Sequence, residues 1–163
     1  MELAGLMNIA IVQARVNSSR LPGKVLSPLG GKSILAWTIE SAQAAGKVDA
    51  IVVATSIEAA DDAVCNEATR MGAHVVRGPL DDVLTRFKLV SDEFPAENYV
   101  RLTADCPLID PKMIDQCIWL LESNDCLDLV SNALVRTYPR GLDVEVFRQS
   151  ALLSADSEAY GYH

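Results

Sequence analysis

Apolar residues fall along this chain in short runs separated by polar stretches that carry glycine or proline, and the runs alternate between two periods. Residues 8 to 14, Asn-Ile-Ala-Ile-Val-Gln-Ala, are almost continuously apolar, as in a strand buried on both faces, and they stop at a polar loop reaching about Gly31. From Ser33 the period changes. Ile34, Leu35, Trp37, Thr38 and Ile39 begin a helix that Ser33 can cap and Gly46 closes. A second strand covers 49 to 55, and the Ala-rich segment Glu58 to Met71, ending at Gly72, reads as a helix. His74-Val75-Val76 forms a short strand before a turn at Gly78-Pro79, and 81 to 92 reads as another helix. Tyr99 to Thr103 is a strand, Pro111 suits the first turn of a helix reaching about Glu122, and Leu127 to Val130 starts one more strand. After Ser131 the order loosens into Tyr138-Pro139-Arg140-Gly141, a candidate strand from Asp143 to Phe147, and a helix-like tail that no strand closes.

This alternation predicts an α/β fold, a mostly parallel, doubly wound sheet flanked by helices. Ligands of such sheets bind beyond the carboxyl ends of the strands, so the loops after Ala14, Thr55, Val76 and Thr103 are where chemistry is expected. The length of 163 residues suits one domain, taken as residues 7–163, with 1–6 as an extension before Met7. Half of the residues are hydrophobic and 22% are charged, which excludes a disordered or fibrous chain. No apolar run approaches the roughly 20 residues that cross a bilayer, and the opening residues lack the pattern of a leader. Cys65, Cys106, Cys117 and Cys126 show no C-x-x-C spacing and are expected to be reduced core thiols, so a cytoplasmic location is expected.

Charge changes the picture locally. The net charge of −8 argues against binding nucleic acid through a general basic field. Between Arg15 and Lys32, however, lie Arg15, Arg20, Lys24 and Lys32 with no acidic residue, a positive island suited to a small polyanion. Ser18 and Ser19 add hydroxyls and backbone amides, and Pro22-Gly23 lets the chain turn closely around phosphate oxygens. Composition alone equally accommodates a solvated loop with scattered ion pairs. Gly30-Gly31-Lys32-Ser33 is not a P-loop, because Leu26 stands where that motif requires glycine. It reads instead as a turn before a helix, with Lys32 still available to phosphate. Asp105, just past a strand, offers an oxygen ligand for Mg²⁺ or, equally, a cap for the next turn. His74 and His163 have no partners spaced for a catalytic triad or for zinc.

Five segments in order bear a resemblance. Ile11-Val-Gln-Ala-Arg-Val-Asn-Ser-Ser-Arg-Leu-Pro-Gly-Lys24, Val53-Ala-Thr-Ser56, Arg77-Gly-Pro-Leu-Asp-Asp-Val-Leu84, Arg101-Leu-Thr-Ala-Asp-Cys-Pro-Leu-Ile-Asp110 and Tyr138-Pro-Arg-Gly-Leu-Asp-Val-Glu145 are similar to the cytidylyltransferase family that includes spore coat polysaccharide biosynthesis protein F and, more distantly, the acylneuraminate and 3-deoxy-manno-octulosonate cytidylyltransferases. The resemblance runs from Met7 over nearly the whole chain. It implies a nucleotide-diphospho-sugar transferase fold and transfer of CMP from CTP to a sugar, an acidic one by preference, with release of pyrophosphate in polysaccharide biosynthesis. By the same match Lys24 and Asp105 are the catalytic pair, and Asp105 holds Mg²⁺. Ala14, Arg15, Ser18, Ser19, Arg20 and Lys24 border the nucleotide, Arg77, Asp81 and Asp82 read its base, and Thr55 and Thr103 complete the set. Arg140 and Asp143 face the sugar, although a turn leading into a strand explains that segment as well. The expected partners are CTP and a sugar, with no nucleic acid and no membrane, and a homodimer is a candidate assembly. Members of the family usually continue some tens of residues past the equivalent of His163 and carry a second metal-binding aspartate there. A shortened nucleotide-binding protein with little turnover, a transferase using another nucleoside triphosphate, and a structural subunit are therefore the alternatives.

Overall fold

A computed structural model describes residues 8–17 and 21–159 of the chain. The expected extension at 1–6, the domain start at residue 7 and the terminal residues up to His163 lie outside that description, as do Ser18, Ser19 and Arg20.

In chain order the elements are β1 (Asn8–Gln13), β2 (Pro28–Leu29), β3 (Lys32–Ser33), α1 (Ile34–Ala44), β4 (Ala50–Ser56), α2 (Asp62–Arg70), β5 (His74–Gly78), α3 (Val83–Glu93), β6 (Asn98–Thr103), α4 (Pro111–Glu122), β7 (Leu129–Ser131), β8 (Glu145–Arg148) and α5 (Gln149–Glu158). The main sheet has the order β5-β4-β1-β6-β8-β7. Its first four strands are parallel, with β1 at the centre pairing β4 on one side and β6 on the other.

The continuous apolar run of β1 reflects burial on both faces. Ala10 and Val12 join Val53, Val100 and Leu102 in a core covered by α1 and α4, while Ile9 and Ile11 join Val52, Ala54 and Tyr99 under α3 and α5. Ser33 caps α1 by accepting from the Ala36 amide at 3.0 Å, and Asp110 caps α4 ahead of Pro111. Both ends are where sequence reasoning places them.

A wholly parallel sheet does not form. Strand β8 enters between β6 and β7 and runs antiparallel to both. The connection from β7 to β8, residues 132–144, contains no helix, the element that usually carries the crossover between parallel neighbours, and it returns the chain antiparallel beside β7. The turn at Gly30-Gly31 is tighter than expected. These residues, at φ 59° and 91°, link β2 to β3 in a two-residue hairpin, a conformation that favours glycine at both positions.

Candidate active site

The carboxyl ends of β1, β4, β5 and β6 converge on one edge of the sheet, and the residues singled out from sequence sort there into three groups.

The first group joins the end of the first segment to the fourth. Lys24 opens a short 3-10 turn, Lys24–Leu26, after the basic loop, and Asp105 follows β6. Although 81 positions separate them, the Lys24 ammonium lies 2.5 Å from the Asp105 carboxylate. Burial pushes the Asp105 carboxyl upward, but the Lys24 hydrogen bond and charge, the Thr103 hydroxyl and its own backbone amide outweigh this and hold it below the ordinary carboxylate range. Thr103 is half-buried and its hydroxyl also meets the Cys106 sulfur at 3.1 Å. Asp143 feels the charge of Asp105, and its carboxyl is lowered chiefly by hydrogen bonds from Arg136 at 2.9 and 3.1 Å. Arg140 is exposed and adds positive potential to Asp143.

The second group fixes the entrance to the basic loop. Ala14 is buried and continues the sheet bonding by donating to the Ala54 carbonyl, and Arg15 is exposed just beyond it. Val16 then donates to the Asp61 carboxylate at 2.7 Å and accepts from the Gly23 amide at 2.8 Å. The loop thus hangs from a closed neck at Val16 and Gly23. Asp61 is itself buried and accepts from both the amide and the hydroxyl of Ser56 at the end of β4. Thr55 is fully buried in β4, so its hydroxyl does not reach the cleft surface.

The third group is the loop after β5. Arg77 is committed to neighbouring backbone: it donates to the Ser56 and Glu58 carbonyls at 2.8 and 2.9 Å and pairs with Asp62 at 2.7 Å. Asp82 caps α3 through the Thr85 amide at 2.8 Å, whereas Asp81 is exposed on the loop. Lys32, kept as a phosphate-facing candidate by sequence, turns away from the site. It pairs with Glu40 at 2.6 Å and lies 4.6 Å from the Trp37 ring centre, because the β2–β3 hairpin carries it to the outer side of α1.

Two residues of the site escaped sequence reasoning. Asp61 reads there as part of an Ala-rich helix, and its place beyond a strand end is the signal that could have marked it. Arg86 sits within α3, yet it is only 2% exposed and donates to the Pro79 and Leu80 carbonyls. Burial and the charge of Arg15 both lower its pKa, against the opposing charges of Asp61, Asp82 and Asp81. No single-residue pattern marks such an arginine, since its helical spacing is that of a core position.

A sequence model of the cytidylyltransferase family matches residues 9–161. The chain belongs to the cytidylyltransferase family. Spore coat polysaccharide biosynthesis protein SpsF of Bacillus subtilis is 38% identical over 112 residues, 66% of this chain and 47% of that protein. The 8-amino-3,8-dideoxy-manno-octulosonate cytidylyltransferase of Shewanella amazonensis is 36% identical over 120 residues, 70% of this chain and 47% of that one. The chain therefore spans about half the length of these curated relatives. Among solved structures, a cytidylyltransferase from Leptospira borgpetersenii superposes with a TM-score of 0.88 at 36% identity, covering 94% of this chain and 64% of that one.

In this member of the cytidylyltransferase family the loop after β5 depends on Gly78. A Cβ there would lie 2.9 Å from Arg86 Cγ and 2.9 Å from Leu89 Cδ1, so the absent side chain is what lets Arg86 reach under the loop. Gly78→Ala is expected to lower the unfolding free energy by about 1–3 kcal/mol, the usual range for overpacking. Urea denaturation checks this, and an unchanged midpoint would show that Arg86 can be seated another way.

Proposed function

We propose that this chain binds CTP along the carboxyl edge of β1, β4, β5 and β6 and transfers CMP to a hydroxyl of an acidic sugar, releasing pyrophosphate, as a step in polysaccharide biosynthesis. The observation that carries the reading is the meeting at 2.5 Å of Lys24, from the first of the five segments, and Asp105, from the fourth. A cation and an ionised carboxylate side by side beyond parallel strands suit a polyphosphate and its counter-ion. Family membership supports the choice of CTP.

In the transfer the sugar oxygen forms a bond to the α-phosphorus while the bond from that phosphorus to the bridging oxygen breaks. Pyrophosphate leaves with the electron pair, and the hydroxyl proton passes to water. The contribution of this chain is positioning and charge: Lys24 neutralises phosphate oxygens, and the Val16–Gly23 neck, directly after Arg15, closes the loop that leads to Lys24. Mg²⁺ is part of the proposal. Among the described residues no three His, Cys, Asp or Glu side chains cluster as a metal cage. That fits Mg²⁺, which takes one or two carboxylates and completes its shell with phosphates and water. Asp105 would hold it, with Asp143 as the second carboxylate within electrostatic reach. Bound there, it would supply charge neutralisation on the triphosphate.

No helix among the described residues is long and apolar enough to cross a membrane, and all four cysteines are free thiols. The free thiols are the feature that suits a reducing compartment such as the cytoplasm.

The test is pyrophosphate release with each nucleoside triphosphate, Mg²⁺ and a panel of sugar acids. CTP-selective release that needs a sugar is expected. Equal release from every triphosphate would refute the choice of base, and tight CTP binding without release would return the reading of a binding protein. Asp105→Asn gives a second, opposite-signed check. It removes a negative charge beside the phosphates, so metal-free CTP binding should hold or strengthen, while the gain on adding Mg²⁺ should largely vanish. Calorimetry with and without Mg²⁺ reads both; a variant that responds to Mg²⁺ like the parent makes Asp105 a turn residue.

A further inference from the structure

The sheet face toward α3 and α5 changes character along its length. Low on that face Ile9, Ile11 and Tyr99 are buried against Phe87, Val90 and Leu152. Two residues further along the same strands the same face turns polar, with Gln13 on β1 and Arg101 and Thr103 on β6; the partner position on β8 is Glu145, two residues before Phe147. Arg101, Thr103, Ala133, Asp143 and Glu145 line a cavity of about 110 Å³ there. It opens beside Asp105, since Thr103 belongs to both.

The hydrogen bonds of Arg101 are uneven. Its Nη1 donates to Glu145 at 2.6 Å, a firm pair across the β6–β8 register. Its Nε and Nη2, the edge that forms two parallel hydrogen bonds with a carboxylate, share only the Gln13 side-chain oxygen, at 3.4 Å each. The guanidinium is thus aimed by an acid at one end and weakly occupied at the other, and its side chain is 37% exposed. Arg140, in contrast, is exposed on the loop before β8 and has no hydrogen bond or ion pair among the described residues to fix its direction.

We infer that Arg101, oriented by Glu145, is the residue that selects the acceptor: its Nε–Nη2 edge exchanges the Gln13 oxygen for the carboxylate of the incoming sugar. This rests on the transferase reading above and names the group that reads the second substrate. The carboxylate then sits in the cavity beside Thr103, and the sugar hydroxyls extend toward Asp105 and the nucleotide.

The experiment uses the full chain with CTP, titrated with 3-deoxy-manno-octulosonate, with its 8-amino-8-deoxy counterpart, and with the methyl ester of each. Binding is read by calorimetry and by the ¹⁵N resonance of Arg101 Nε, assigned through its loss in Arg101→Lys. The acids should shift that resonance and the esters should not. Arg101→Lys should weaken acid binding at least about tenfold while leaving CTP affinity within about twofold, because one charge-assisted pair is lost and the charge is kept. Glu145→Gln, which keeps the shape and releases the guanidinium, should weaken it less, and Arg140→Met should weaken it less than Arg101→Lys does. Equal binding of acid and ester, no resonance shift with either acid, or loss in Arg140→Met but not Arg101→Lys would each overturn the assignment. CTP affinity measured in the same samples separates the two claims: a protein that shifts Arg101 with the acids yet fails to bind CTP contradicts the transferase reading and leaves standing only the contact of Arg101 with a sugar carboxylate.

Discussion

Lys24→Ala is expected to produce the largest loss of CTP affinity of any single substitution in the basic loop, roughly tenfold or more, corresponding to about 1.5–3 kcal/mol for a charge-assisted contact. Two effects act in the same direction. The phosphates lose a cation, and the Asp105 carboxylate, neutralised by Lys24 at 2.5 Å, is left to repel them. The second effect has its own readout. Burial raises the Asp105 carboxyl and Lys24 is the foremost of the influences lowering it, so the substitution should move its titration upward. Because the folded-state value is depressed, the stabilisation from this pair is present at neutral pH and is lost as pH falls through the folded value; in Lys24→Ala that acid-side loss should shrink. Carbon-13 detection of the Asp105 carboxyl follows the titration and calorimetry follows CTP. Unchanged affinity in a folded variant would remove Lys24 from the phosphate site.

Legibility in the sequence follows the range of the interaction. Elements set by local chemistry were readable: the buried run of β1, the Ser33 cap of α1 and Pro111 at the start of α4 each declare themselves within a few residues. The reversal of β8 was not, because its direction depends on the path of the 132–144 connection rather than on the strand's own residues. Among the candidate residues, the proximity of Lys24 and Asp105 was legible because each stands in a motif beyond a strand end, and the fold brings those ends together. Lys32 was misjudged since its loop neighbours are basic, whereas its side-chain direction is set by a hairpin and by Glu40, eight positions away. Asp61 and Arg86 were missed for a shared reason: each is a charge buried by tertiary contacts, and burial of a charge leaves no periodic trace in sequence.

Asp61 is where that omission carries the greatest consequence for stability. Its carboxylate accepts from the Val16 amide, the Ser56 amide and the Ser56 hydroxyl while being 1% exposed. Asp61→Ala leaves the two buried Ser56 donors and the part-buried Val16 amide without this partner, each buried one costing roughly 1–3 kcal/mol, so a loss of about 3 kcal/mol in unfolding free energy is expected. Asp61→Asn is gentler, since one oxygen remains to accept while the new amide group faces donors on one side. If Asp61 only braces the fold, both variants should bind CTP normally once folded. If it also holds the neck of the basic loop through Val16, Asp61→Asn should lower CTP affinity beyond anything its stability change explains, because the Val16 amide is fixed at one end by Asp61 and the Val16 carbonyl at the other by Gly23. Urea denaturation without nucleotide gives the first quantity. Calorimetry at a temperature where Asp61→Asn is fully folded gives the second, and normal CTP affinity there reduces Asp61 to a structural brace.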